Sequence, residues 1–380
     1  MKIIHLADSH LGFSSYSRLD EHGQNRIEEM VYSGFEKAIE QIIRAHPDAV
    51  VHAGDVFHHV RPKIKPLFIF QRGLQRLVEA AIPVIIISGN HDAPKSFNQT
   101  SPFRLFEGLR DVHIAQRYSY ERFEVGDHCF HCIPFCLEPQ DYLTEFGEIK
   151  RSGRDVLVMH GMVESLKNQK MRSVGEHELN DSLLKSDFDY IALGHYHGQA
   201  QVAANAYYSG SVEYFNFGEA RDVKGMLLVD LETGKASNVP VKPNYMIDHP
   251  PIDCSGMRSD EIAEIIMDMC HEDEISDRMV RINLKNVNRV AYRSIDQGKL
   301  NRLGGAAIYF KIRLDFCDEE DRIERPVDRR MLHVDFAGFL GERRSANLIP
   351  ETIKDEVVSY GTVVMKMAVL ARQKETTDAP

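Results

Sequence analysis

Five short groups of metal-binding residues punctuate the first half of the sequence. Each group follows a short run rich in Val, Ile and Leu, the pattern of a buried β-strand. The groups are Asp8-Ser9-His10, Gly54-Asp55, Gly89-Asn90-His91-Asp92, His160-Gly161 and Gly194-His195-Tyr196-His197. Because open α/β sheets place their chemistry at the carboxyl ends of strands, we expect these side chains to converge.

The residue types in these groups predict a two-metal centre. Carboxylates, neutral imidazoles and one shared carboxylate can hold two divalent cations roughly 3.5 to 4 Å apart, as in hydrolytic sites. Any single group could equally be a polar loop, since Asn-His-Asp is a favourable turn sequence. Five groups in the same strand-to-loop context favour the metal site, and most of the 18 histidines precede Gly198.

The surrounding pattern predicts the elements that position these groups. Strand-like and helical segments alternate up to about Gly198, which indicates an α/β sandwich. From Ala206 to Pro243 the pattern is strand-like, with a turn at Thr233-Gly234. One helix face has a period of 3.6 residues and comprises Ile27, Met30, Val31, Phe35, Ala38, Ile39, Ile42 and Ile43.

Composition indicates an intracellular enzyme with two domains. The 380 residues are 43% hydrophobic and 27% charged, enough to bury a sizeable core. The first strand begins at Lys2, which leaves no room for a signal peptide, and no apolar run reaches the roughly 18 residues of a membrane span. Six cysteines without a disulfide-framework spacing fit a reducing cytoplasm.

A net charge of −11 does not exclude DNA binding, because affinity depends on local phosphate contacts. Basic residues cluster shortly after two of the groups, where they are either solvated loop residues or phosphate contacts. They are Arg61, Lys63 and Lys65 after Asp55, and Lys167, Lys170 and Arg172 after His160.

Other cysteines and histidines are predicted to be structural. Cys129 and Cys132 have half the spacing of a zinc knuckle, but no second cysteine pair follows them. His5 and His52 lie within strand-like runs and are expected in the core or behind the ligands. His59 is expected in a loop.

The motif order resembles that of the calcineurin-like metallophosphoesterases. Within them it is similar to the SbcD-type (meiotic recombination eleven) DNA double-strand-break repair nucleases, over about residues 1 to 230. The opening from His5 to Gly12 resembles the nuclease opening. Asp55 is followed by Val56-Phe57-His58 and not by the Asp-Arg-Gly of the phosphoprotein phosphatases. The implied fold class is α/β, a β-sandwich flanked by helices.

The resemblance implies a role for each site residue. One metal would be held by Asp8, His10, Asp55 and His197, and the other by Asp55, Asn90, His160 and His195, with Asp55 as the bridge. His91 would assist phosphodiester cleavage by donating a proton to the leaving 3′-oxygen. Asp92 would orient the His91 ring, and His58 would lie near the scissile phosphate. Mixed nitrogen and oxygen ligands permit Mn, Fe or Zn, and the family implies two Mn²⁺ ions.

The resemblance also implies the organisation of the whole chain. We expect a nuclease domain over residues 1–243, a DNA-capping α/β domain over 244–325 and a partner-binding helical segment over 326–380. The capping domain is predicted to contain helices from Ser259 to Cys270 and from Arg293 to Arg302, with strands from Met279 to Val287 and from Ala306 to Phe316. The family further implies a cytoplasmic, nucleoid-associated protein.

Two interaction surfaces are predicted. A final helix from Pro350 to Arg372 carries an apolar stripe that either packs on its own domain or docks on an SbcC-type ABC ATPase. The helical segment from Lys63 to Ala80 has more apolar positions than one core-facing stripe needs, and the family resemblance favours a homodimer.

Three functions are therefore weighed. The first is a metal-dependent DNA exonuclease and endonuclease of a repair complex. The second is another metallophosphoesterase, acting on cyclic nucleotides or small phosphoesters, against which the long segment beyond the core argues. The third is a nuclease-dead DNA scaffold, which would be expected to have lost ligands, whereas every position is filled here.

Overall fold

The structure, a computed structural model, describes residues 1–317 apart from 16–18, 21, 96–98, 167–177, 186, 242–243 and 271. It divides into two compact units. The first comprises Met1–Pro250, Ile265–Asn283 and Asp296–Arg313. The second contains, among the described residues, Pro251–Glu264, Leu284–Ile295 and 314–317.

Two six-stranded sheets form the centre of the first unit. The first sheet has the order β14-β13-β1-β2-β3-β4 and is parallel from β1 to β4. Its strands are β1 (Lys2–Leu6), β2 (Ala49–His52), β3 (Val84–Ile87), β4 (Val112–Ala115), β13 (Met226–Asp230) and β14 (Lys235–Val239). The predicted turn at Thr233-Gly234 joins the last two strands, which pair antiparallel.

The second sheet has the order β11-β12-β10-β7-β6-β5, with parallel pairing from β6 through β7 and β10 to β12. Its strands are β5 (Glu121–Val125), β6 (His128–Ile133), β7 (Asp155–His160), β10 (Tyr190–Gly194), β11 (Ala200–Ala203) and β12 (Ala206–Tyr208). Two residue pairs, β8 (Met162–Val163) and β9 (Glu178–Leu179), form a separate small ladder.

The two sheets face each other across an apolar layer that includes Ile3 and Val51 from one sheet and Phe130 and Val156 from the other. Three helices cover the outer faces: α1 (Arg26–Ala45), α2 (Ile64–Glu79) and α3 (Pro139–Gly147). Helix α1 begins after Asn25, whose side chain accepts hydrogen bonds from two amides of the first turn, and it buries the predicted stripe against the first sheet. The α/β sandwich expected from the alternating pattern is confirmed.

Shorter elements follow the sandwich. They are β15 (Met246–Asp248), β16 (Ile252–Asp253), α4 (Ser259–Asp268), α5 (Glu272–Ile275), β17 (Met279–Val287), α6 (Arg289–Arg293), α7 (Gln297–Leu303) and β18 (Tyr309–Phe316). In the first unit β15 pairs in parallel with the start of β17, and in the second unit β16 pairs in parallel with its end.

The bounds of β17 agree with the prediction, whereas the single helix predicted from Arg293 to Arg302 is wrong. Two helices occupy this region, because the Asp296 side chain accepts the amide of Lys299 and starts a new helix. Among the described residues, no helix combines the length and apolar composition required to cross a bilayer. The predicted helix from Pro350 to Arg372 lies outside the described residues.

Candidate metal centre

The carboxyl ends of five strands bring the predicted residues together. Asp8 and His10 follow β1, Asp55 follows β2, Asn90 follows β3, His160 ends β7, and His195 and His197 follow β10. Asp8 and Asp55 are almost fully buried, at 0% and 2% exposure. Carboxylates are rarely buried so completely unless they are paired or coordinate a metal.

The first donor group consists of Asp8, His10 and His197, whose ligand atoms all lie within 4.8 Å of one another. The Nε2 atoms of His10 and His197 are 3.1 Å apart. Two donors at about 2.1 Å from one cation, at right angles, are about 3 Å from each other. The spacing of these nitrogens therefore fits two ligands of the same ion.

The second donor group consists of Asp55, His160 and His195. The Oδ1 atom of Asn90 adds a fourth donor, at 3.0 Å from His160 Nε2 and 3.0 Å from His195 Nδ1. The Oδ2 atom of Asp55 is 3.4 Å from His160 Nε2 and 3.7 Å from His10 Nε2, so it lies between the two groups. This is the position that a bridging carboxylate requires.

Backbone strain and glycines shape the loops. Asp8, His10 and Asp55 have φ angles of 54°, 42° and 54°, which non-glycine residues adopt at a cost of order 1 to 3 kcal/mol each. The loops hold each other, since the amides of Asp8 and His10 donate to the carbonyls of Gly54 and Asp55, each at 3.0 Å. A Cβ atom at Gly54 would collide with the His160 ring. Only glycine allows this approach.

The protonation states in the centre suit metal binding. Burial opposes ionisation of Asp55, but the charge and hydrogen bond of His160 hold the pKa of that carboxyl well below its usual value. Burial, together with the charge of His160, lowers the pKa of His195 to about 3. Burial raises the pKa of Asp8 to about 6, an effect that a cation would oppose. Ionised Asp55 and neutral His195 are the forms that bind a divalent ion.

Two further histidines lie beside the donor groups. The rings of His58 and His91 stack with centroids 5.1 Å apart, and His58 Nδ1 is 3.3 Å from His10 Nδ1. Burial, with a contribution from the charge of His91, lowers the pKa of His58 to about 4. The amide of His91 donates to Asp55 Oδ1 at 2.8 Å, which fixes this loop to the candidate bridge.

The predicted contact between Asp92 and His91 is wrong. The Asp92 carboxylate accepts hydrogen bonds from the amides of Val56 and Gly89, both at 2.6 Å, and so ties two ligand loops together. His91 Nδ1 instead lies 3.0 Å from the carbonyl oxygen of His58. Three successive residues in a tight turn point in different directions, so Asp92 is a neighbour of His91 in sequence but acts on the backbone.

One pair of residues near the centre was not singled out from the sequence. Glu219 Oε1 is 3.0 Å from His197 Nδ1, and Lys224 Nζ is 2.8 Å from Glu219 Oε2. Both residues follow His197 by more than twenty positions in a segment without a recognisable motif. Burial opposes ionisation of Glu219, but hydrogen bonds from His197 and Lys224 lower its pKa to about 2.

The residues expected to be structural have polar partners. Cys129, His131 and Asp155 form another group with ligand atoms within 4.8 Å. However, both ring nitrogens of His131 are engaged, by Tyr120 at 2.7 Å and by Asp155 at 2.9 Å. Similarly, His5 contacts Tyr190 Oη at 2.9 Å and His52 contacts Ser9 Oγ at 2.8 Å, and both histidines are buried.

Residues 1–219 match the family model described as calcineurin-like phosphoesterase. The match covers more than half of the sequence, and the chain belongs to this family. The family resemblance inferred from the motifs is confirmed, and so is the enzyme class, a metal-dependent phosphoesterase.

Relatives carry the names of repair nucleases. The chain is 29% identical over 274 residues to the DNA double-strand break repair protein Mre11 of Methanococcus maripaludis, with 65% of this chain and 69% of that protein covered. Identity to Mre11 of Methanocaldococcus jannaschii is 31% over 242 residues, or 60% of this chain and 62% of that protein. The SbcD component of the nuclease SbcCD of Staphylococcus saprophyticus is 26% identical over 273 residues, covering 64% and 69%. The matched part is less than two thirds of the second relative.

Proposed function

We propose that the chain is a two-metal DNA nuclease, with 3′–5′ exonuclease and endonuclease activity, that processes DNA ends in double-strand-break repair. The observation that carries this proposal is the pair of donor groups sharing Asp55, with His58 and His91 beside them. The names of the Mre11 and SbcD relatives support DNA as the substrate. A location in the cytoplasm, near the nucleoid, follows from that substrate.

The donor set fits two divalent cations. Asp8, His10 and His197 would hold one, Asn90, His160 and His195 the other, and Asp55 both. When bound, the cations supply Lewis-acid activation of the phosphodiester and of the attacking water. Mixed nitrogen and oxygen donors are compatible with manganese, which we propose as the native metal.

His91 is proposed as the acid for the leaving 3′-oxygen. A carbonyl oxygen can only accept, so Nδ1 of His91 donates to the His58 carbonyl. Its Nε2 atom then carries a proton only when the ring is cationic. Donation of that proton to the departing oxygen leaves the neutral ring still held through Nδ1. His58, which supplies the carbonyl and the stacked ring, fixes the orientation of His91.

DNA contacts are proposed for exposed basic residues near the centre. Arg61 and Lys63 are exposed directly after the Asp55 loop. Lys65 already pairs with Glu29, which makes it a weaker candidate. Lys167, Lys170 and Arg172 lie outside the described residues. The division into a nuclease domain over 1–243, a capping domain over 244–325 and a partner-binding segment over 326–380 belongs to the same proposal.

A homodimer is proposed through helix α2. Ile64 and Phe68 are 84% and 56% exposed, one helical turn apart, while Phe70, Leu74 and Leu77 face the core. We expect a dimer at micromolar concentration, and expect Phe68→Glu to give a monomer because it places a charge in an apolar contact. Analytical ultracentrifugation measures the mass, with Leu105→Glu, at another exposed apolar residue, as the control. A native monomer, or a dimer that Phe68→Glu leaves intact, contradicts the proposal.

The segment from Pro350 to Arg372, outside the described residues, is proposed to dock on an SbcC-type ATPase. Ending the chain near Ala346 should leave metal binding and basal nuclease activity intact, since all proposed ligands precede Gly198. Binding to the ATPase and ATP-stimulated cleavage of duplex ends should be lost, as they should with Val357→Asp. Pull-down and cleavage assays measure this, with Asp355→Lys on the predicted polar face as the control. Unfolding or loss of basal activity after truncation would place the helix in the core of its own chain.

Substrate choice separates the proposed nuclease from the alternatives. Labelled single- and double-stranded DNA should be cut with Mn²⁺, whereas a phosphoesterase for small substrates would prefer cyclic nucleotides or bis-p-nitrophenyl phosphate. A scaffold without nuclease activity would bind DNA and leave it intact.

A further inference from the structure

His197 has a carboxylate behind its ring. The Oε1 atom of Glu219 lies 3.0 Å from His197 Nδ1, so the ring donates there and its Nε2 atom keeps the lone pair that faces His10. By contrast, the outer nitrogen of His160 donates to a neutral carbonyl, that of Ala53, at 2.8 Å. A carboxylate in this position fixes the tautomer and makes the imidazole a stronger ligand.

The Glu219 carboxylate is held by four donors. Besides His197, Oε1 accepts the side-chain amide of Asn216 at 2.6 Å. The Oε2 atom accepts the amide of Phe215 at 3.0 Å and the ammonium of Lys224 at 2.8 Å. Glu219 is 6% exposed, so its charge must be compensated within the protein.

Lys224 supplies that compensation and reaches His197 by a second route. Its ammonium has three acceptors: Glu219 Oε2 at 2.8 Å, Ser211 Oγ at 2.9 Å and the carbonyl oxygen of His197 at 2.9 Å. The side chain is 5% exposed, a rare position for a lysine unless it is paired. One ammonium therefore holds the backbone of His197 directly and its ring through Glu219.

We infer that Lys224 is a positioning residue for the metal held by Asp8, His10 and His197, and that it acts through Glu219. Burying this ion pair is costly and adds little stability on its own account. Its placement gives it another use, which is to keep the Nε2 atom of His197 aimed at the ion. The inference rests on the proposed two-metal centre and assigns a role to residues outside the ligand set.

The test measures metal affinity and not turnover. In calorimetric titration of the metal-free full chain with Mn²⁺, Lys224→Met should weaken one binding step by roughly 10- to 100-fold and the other step much less. Asp222→Asn is the matched control, because that carboxylate is 3.8 Å from the same ammonium but does not contact His197. It should leave both steps near their native values. Thermal unfolding of the metal-free proteins records any loss of fold separately.

A double variant shows whether Lys224 acts through Glu219. Glu219→Gln keeps an oxygen that can accept from His197 and removes the charge that Lys224 compensates. Glu219→Gln/Lys224→Met should therefore bind Mn²⁺ more tightly than Lys224→Met alone, a non-additive result. If Lys224→Met does not fold, the double variant should fold and bind at least as tightly as Glu219→Gln alone. Native affinity in Lys224→Met, additive effects, or a double variant that also fails to fold would overturn the inference. Failure of the native chain to bind two ions would instead reject the proposed function.

Discussion

Replacing Asp55 with Ala is expected to abolish DNA cleavage and to reduce bound metal below two ions per chain. Asp55 Oδ2 lies between the two donor groups, so a single substitution removes a ligand from both proposed ions. It also removes the acceptor of the His91 amide, which loosens the loop that carries the proposed acid. Metal content measured by mass spectrometry after dialysis, together with cleavage of labelled DNA, tests both parts.

The control for Asp55→Ala is the same change at an exposed carboxylate. The Asp187 side chain is 96% exposed, and Asp187→Ala should keep both ions and full activity. Two tightly bound ions in Asp55→Ala would show that this carboxylate does not bridge, and the ligand assignment would then be wrong.

His91→Ala is expected to separate metal binding from chemistry. The ring of His91 belongs to neither proposed ligand set, and its Nδ1 atom is occupied by the His58 carbonyl. The variant should keep both ions and DNA binding but lose roughly 10² to 10⁴ in turnover, the usual contribution of a general acid. Single-turnover cleavage at saturating Mn²⁺ measures this loss.

A neighbouring histidine provides the control for His91→Ala. His59 is exposed and its ring contacts that of His58, with centroids 4.6 Å apart. His59→Ala should cleave at close to the native rate. If His91→Ala lost metal in proportion to its activity, His91 would be a ligand, an outcome that its closeness to His10 and His58 makes worth testing.

The strand ends could be predicted from the sequence because local pattern determines them. Short apolar runs before Asp8, Asp55 and Asn90 are strands of one sheet, and those ending at His160 and His195 are strands of the other. Parallel pairing then places their carboxyl ends at one edge. The convergence of the ligands follows from strand order alone.

Contacts that depend on the course of a loop could not be predicted in this way. The role of Asp92 depends on which amides the turn presents to it, and periodicity carries no information on that point. Glu219 and Lys224 reach His197 across a segment whose spacing matches no common motif. The break between α6 and α7 depends on one capping aspartate, Asp296, within a helix-like pattern. Tertiary hydrogen bonds decided each of these features.

Titration of the metal-free protein with Mn²⁺ against an end-labelled DNA duplex tests the central claim most directly. Bound metal and initial cleavage rate are followed in the same samples. We predict that cleavage appears only as the second ion binds, and that the same protein hydrolyses cyclic nucleotides far more slowly. A full cleavage rate with one ion per chain, or a preference for cyclic nucleotides over DNA, would contradict the account of this chain as a two-metal DNA nuclease.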